Sequence, residues 1–98
     1  MPDEEDVVAS FQECETVIRT LPALGRQIRA RRKASSLRID DAAALCGVSV
    51  DLLSRLENGK SGVSTQRLLA VLDGLGLVLL VVEKERIADL LPAEPPPP

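Results

Sequence analysis

The stretch DDAAALCGVSVDLLSRLENGKS, residues 40–61, gathers the side chains best suited to surface chemistry. On a helix turning about 100° per residue, Leu53 and Leu56 share one face, and Val50, Asp51, Ser54, Arg55 and Asn58 point away from it. That outer face carries a carboxylate, a hydroxyl, a guanidinium and an amide. Such groups match the donor and acceptor pattern on base edges. A guanidinium pairs with both acceptors of a guanine, and a carboxylate accepts from the cytosine amino group. Val50, Asp51, Ser54 and Arg55 are therefore the expected base-contacting set, with Arg55 foremost. Arg38, Asn58, Lys60 and Ser61 flank it and suit phosphate oxygens, contacts that fix register without reading sequence. Two plainer roles compete. Arg55 can pair with Asp51 one turn earlier, and Glu57 is expected to serve the fold rather than the outer face.

Other chemistries fail on residue type or spacing. Gly59-Lys60-Ser61 matches the end of a phosphate loop, but Ser54 stands where the first glycine is required, and the segment follows a helix rather than a strand. The chain has no His, which excludes His-containing zinc sites and a Ser-His-Asp triad. Its two cysteines, Cys14 and Cys46, are too few for a cysteine cage. Cys46 reads as a small buried hydrophobe and Cys14 as a surface thiol. No catalytic residue, metal site or cofactor is expected, so the chain reads as a binding protein and not an enzyme.

The outer face needs elements to hold it out. Two short helices joined by a tight turn can cross steeply only where small residues meet. Ala43 gives the third helix room to approach the second, and Gly47, four residues on, takes the positive φ of the turn. Val48 and Leu53 plug the junction, and Leu56 anchors the third helix. Before this pair, Thr20 reads as the N-cap and Pro22 as a first-turn residue of a helix over residues 21–33, with Leu21, Leu24 and Ile28 on one stripe. A second helix spans 40–46, its start acidic as the helix dipole favours. Ser49 caps the third, which Asn58-Gly59 ends. Ser64 or Thr65 caps a fourth carrying Leu68, Leu69, Val71, Leu72 and Leu75, which Gly74 and Gly76 loosen and stop.

The run Leu77, Val78, Leu79, Leu80, Val81, Val82 is bounded by glycine and reads as a buried strand. A lone strand leaves unpaired backbone groups. Its partner is ETVIR, residues 15–19, the same strand of a second subunit, or both; the plainer alternative is an extension of the fourth helix. Residues 84–91 suit a last short helix. The organisation expected is an acidic, loosely ordered segment over 1–13, a helix-turn-helix domain with flanking short strands over 14–83, and a short helix with a Pro-rich disordered tail over 84–98.

Charge is segregated along the chain. The formal net charge is -3. Residues 1–21 hold Asp3, Glu4, Glu5, Asp6, Glu13 and Glu15 against Arg19 alone, a balance of -5. Residues 22–76 have a balance of +4, and residues 77–98 one of -2. Arg26, Arg29, Arg31, Arg32 and Lys33 crowd the middle, and local fields steer a polyanion more than net charge does. A solvated helix face explains that crowding equally well. The start, MPDEEDVV, is acidic where a signal peptide is basic and apolar. The longest apolar run falls well short of the ~20 residues of a membrane helix. A cytoplasmic protein with reduced thiols and no membrane partner is expected.

Residues 24–76, LGRQIRARRK…LRIDDAAALCGVSVDLLSRLENGKS…LLAVLDGLG, resemble the lambda-repressor/Cro-like helix-turn-helix family. VIRTLPALG before them and the apolar run after them are similar to the HipB-type antitoxins. The resemblance implies a mainly α, lambda-repressor-like domain of four to five helices with a C-terminal β-strand. It implies a bacterial, homodimeric repressor of its own operon that binds double-stranded DNA at a palindromic operator and also binds a HipA-like Ser/Thr kinase toxin. The sequence departs from the family where a phosphate-contacting Gln usually opens the second helix; Ile39 stands there. Val50, Asp51 and Leu52 also replace the usual Arg, Ser or Thr early in the third helix. These departures favour an alternative, a protein-interaction module with weak or no specific DNA binding.

Overall fold

The computed structural model describes residues 17–90. The acidic leader, Cys14, the first two residues of ETVIR, and the tail from Leu91 lie outside the described residues. Four helices form the body: α1 (Leu21–Ala34), α2 (Ile39–Cys46), α3 (Val50–Glu57) and α4 (Thr65–Gly74). A 3-10 turn (Lys84–Arg86) leads into the short α5 (Ile87–Leu90).

Capping explains where the helices begin. The side-chain oxygens of Thr20, Ser49 and Ser64 accept from the backbone N–H groups of Ala23, Leu52 and Arg67 at 3.1–3.2 Å. Each satisfies a donor that the first turn leaves open, worth about 1 kcal/mol. Between α2 and α3 the chain turns at Gly47, with φ 72° and ψ 30°. Its N–H donates to Ala44, and that of Val48 to Ala43.

Packing follows the apolar stripes. α1 lies on α3, while α2 touches both α3 and α4. Ile28, Ala42, Ala43, Cys46, Leu53, Leu56, Val71, Leu72 and Leu75 make one buried cluster. Ile28, Leu53 and Val71 are sealed completely; truncating such a side chain to Ala typically costs about 2–5 kcal/mol. Two glycines set how closely the helices approach. A Cβ on Gly25 would fall 2.6 Å from the Leu56 carbonyl oxygen and nearer still to that of Glu57, so α1 and α3 meet backbone to backbone. A Cβ on Gly74 would fall 2.6 Å from the Cys46 sulfur. Gly74, expected to loosen α4, is thus the residue that lets α4 close on α2.

The C-terminal strand requires correction. Among the described residues no strand is formed. Leu77 turns back on the core, its N–H donating to the Leu72 carbonyl at 2.7 Å. Val78, Leu79, Leu80, Val81 and Val82 are exposed, Val78 at 88% and Val81 at 86%. A strand exists only through a hydrogen-bonded neighbour. Val17, Ile18 and Arg19, the described part of ETVIR, do not supply one, so the run is unpaired among the described residues. The helical alternative is not taken either, since α4 stops at Gly74 and Gly76 adopts φ 75°.

Candidate nucleic-acid interface

The two faces of α3 separate as its spacing requires. Leu53 and Leu56 point inward at 0% and 4% exposure. Val50, Asp51 and Arg55 are exposed, and Ser54 is half-buried. With Ser49 capping its start and Leu53 and Leu56 gripping its inner side, an eight-residue helix that would not persist alone is held outward.

Arg55 does not pair with Asp51. Its terminal nitrogen Nη2 donates to the Ser61 carbonyl at 3.1 Å, and its backbone carbonyl accepts from the Lys60 N–H at 3.0 Å. A guanidinium has five N–H donors, so this bond occupies only one of them. Arg55 thereby joins Lys60 and Ser61 in one exposed group at the end of α3.

Asn58 closes α3 as its C-cap residue. Its Nδ2 donates to the Ser54 carbonyl at 2.7 Å, which couples these two members of the expected set. Arg38, by contrast, sits at the start of α2, its side chain 82% exposed and its Nε 3.4 Å from Asp40 Oδ1. It faces a competing carboxylate. The apolar run expected to mediate dimerisation, residues 77–82, follows α4.

Several residues expected to face outward work inside the fold. Arg32 forms a two-bond ion pair with Glu57, and its Nη1 donates to the Leu37 carbonyl at 3.0 Å. The Nε of Arg31 donates to the Leu75 carbonyl at 2.8 Å, satisfying the end of α4. The basic crowd on α1 is therefore partly structural. The signal for Arg32 was present: it lies four residues after Ile28 and eight after Leu24, on their stripe. Glu57, expected to be structural, is buried, with 9% of its surface exposed. Ile39 opens α2 and lies half-buried against the core.

The end of α3 also touches the start of the domain. A Cβ on Gly59, at φ 71°, would fall 2.7 Å from Pro22 Cα. The loop bearing Lys60 and Ser61 and the first turn of α1 are thus in contact. Among the described residues no group of acidic or Cys side chains is placed to hold a metal ion, and no helix is long and apolar enough to cross a membrane.

No curated protein matches the chain. A family model described as a helix-turn-helix domain matches residues 23–85, more than half of the sequence. That span begins inside α1, includes the α2–turn–α3 unit with Gly47 at its bend, and runs to the C-terminal 3-10 turn. The chain accordingly belongs to the helix-turn-helix domain family of DNA-binding regulators.

Proposed function

We propose that this protein is a sequence-specific DNA-binding repressor that acts as a homodimer on a palindromic operator. The observation that carries the reading is the two-sidedness of α3, with Leu53 and Leu56 sealed within and Val50, Asp51 and Arg55 presented without. In this reading α3 enters the major groove. Arg55 pairs with a guanine, Asp51 accepts from a cytosine amino group, Val50 meets a thymine methyl, and Ser54 reaches a base edge. Asn58, Lys60 and Ser61 hold phosphates on one side of the helix and Arg38 on the other.

The exposed apolar run Leu77, Val78, Leu79, Leu80, Val81, Val82 supports the dimer. Unpaired in one chain, it finds its ladder in the same segment of a second copy. Two copies of α3 about one helical turn of DNA apart, ~34 Å, then read matching half-sites. The similarity of VIRTLPALG and of this run to HipB-type antitoxins supports a narrower biology. In it the repressor is the antitoxin of a HipBA-like operon and its second partner is a HipA-like Ser/Thr kinase toxin.

Ile39, half-buried against the core, and the carboxylates of Asp40 and Asp51 favour a second reading, an interaction module with weak or no specific DNA binding. A titration separates the two. Labelled duplexes from the chain's own upstream DNA and of scrambled sequence are titrated from 50 to 200 mM salt. A repressor prefers its own duplex with a steep salt dependence, and Arg55→Ala removes about 1–3 kcal/mol of that preference. Equal, weak binding to every duplex refutes the repressor and leaves the interaction module.

A further inference from the structure

We infer that the acidic segment of residues 1–16 competes with DNA for the cations at the end of α3, so that the chain carries its own anionic occupant for that surface. Three observations support this. Residues 1–16 contain six carboxylates (Asp3, Glu4, Glu5, Asp6, Glu13, Glu15) and no Lys or Arg. All 12 Lys and Arg of the chain fall in residues 17–90. The segment is joined to the domain through α1, whose residue Pro22 lies against Gly59, next in sequence to Lys60 and Ser61.

That last contact turns complementarity into proximity. An extended chain spans ~3.3–3.6 Å per residue, so Glu15 lies within about 25 Å of Pro22, and Glu13 only slightly farther. A tethered anion at this range acts at an effective concentration on the order of millimolar. Lys60 and Arg55 are exposed there, with the Arg55 guanidinium held toward the same loop by Ser61. Bound carboxylates occupy these cations until a duplex displaces them. A polyanion with many phosphates wins where its bases also fit, whereas a random duplex offers only charge. The segment thus weakens indiscriminate binding, and added salt diminishes its effect by screening it.

The inference rests on the DNA-binding reading, and full-length chains test it. In one variant all six carboxylates are neutralised (D3N, E4Q, E5Q, D6N, E13Q, E15Q). In a control, E83Q, E85Q and D89N remove charge near the other end. Affinity for a random duplex is measured from 50 to 300 mM salt, and the backbone amide resonances of Gly59, Lys60 and Ser61 are recorded without DNA. The expected result is about 10-fold tighter binding by the six-site variant at low salt, with a gap that closes as salt rises. The control changes affinity less than about 2-fold, and the three amides differ between the wild-type chain and the six-site variant. Equal affinities, unmoved amides, or the same gain per charge in the control overturns the inference while operator binding by the wild-type chain stands. If neither chain binds any duplex, the DNA-binding reading falls and the competition falls with it.

Discussion

Arg32 and Glu57 face each other across α1 and α3 in two parallel bonds, Nε to Oε2 at 2.7 Å and Nη2 to Oε1 at 2.9 Å. Their side chains are only 12% and 5% exposed. The hydrogen bond to Glu57 raises the guanidinium pKa above its usual value and outweighs the opposing effect of burial. With the further bond to Leu37, the pair ties α1, the turn into α2 and the last turn of α3 together.

Breaking this pair from one side is expected to be worse than removing it. Arg32→Met strands a carboxylate in the interior and lowers unfolding free energy by about 3–5 kcal/mol in urea titrations. The double variant Arg32→Met with Glu57→Leu recovers most of that loss. A double variant no more stable than the single one refutes the account.

Three glycine substitutions should separate strain from crowding. Gly47 has φ 72° and open space around a Cβ, so Gly47→Ala meets only the backbone penalty, about 1–2 kcal/mol. Gly25→Ala and Gly74→Ala force helix pairs apart and lose at least as much through overpacking, about 1–3 kcal/mol, although neither residue has positive φ. Thermal unfolding of the three variants checks this. Gly25→Ala melting with the wild type would show that α1 and α3 have slack.

Cys46 gives the domain a pH dependence on the alkaline side. Burial pushes its thiol pKa up, and its Sγ lies 3.5 Å from the Val71 carbonyl as a weak donor. The unfolded thiol ionises near pH ~8.5, before the folded one, so the unfolded state binds fewer protons and stability falls as pH rises through that window. Below it the term is fully present. Wild type should lose more stability between pH 7 and pH 9.5 than Cys46→Ala does. Parallel losses in the two chains would remove Cys46 as the cause.

The apolar run after α4 predicts an oligomeric state. Val78→Asp and Leu80→Asp alter side chains that are 88% and 70% exposed in the single chain, so helical content should hold. Sedimentation should show a dimer for the wild type and a monomer for the double variant, with weaker operator binding. A wild-type monomer at micromolar concentration would contradict the pairing.

The helices and their starts were legible because their signals are local. Thr20 and Ser49 each act within three residues, Gly47 supplies its own φ, and the Leu53–Leu56 spacing sets the inward face of α3. What escaped depends on distant partners. Arg32 reads as a surface cation by its charge, but it sits on the α1 stripe and its partner is 25 residues away. Gly25 and Gly74 are legible as glycines but not as contact points, since the atoms they admit belong to other helices. The strand is not formed among the described residues for a related reason. Alternation and apolarity give a segment the means to pair, but a ladder needs another backbone, and the described part of ETVIR does not provide it. In the surface set, the bonds that join Arg55 to Lys60 and Ser61 run through the loop after α3, and Arg38 lies beside Asp40, contacts that residue spacing alone does not specify.

Gly25 has one more effect. At Gly25 the main chain of α1 meets the last turn of α3 with no side chain between them, and α3, about 12 Å long, is too short to flex along its own length. The end of α3 is thereby seated directly on the α1 backbone. Any accommodation to an uneven duplex must then come from rotamers at Asp51, Ser54 and Arg55, or from bending of the duplex itself.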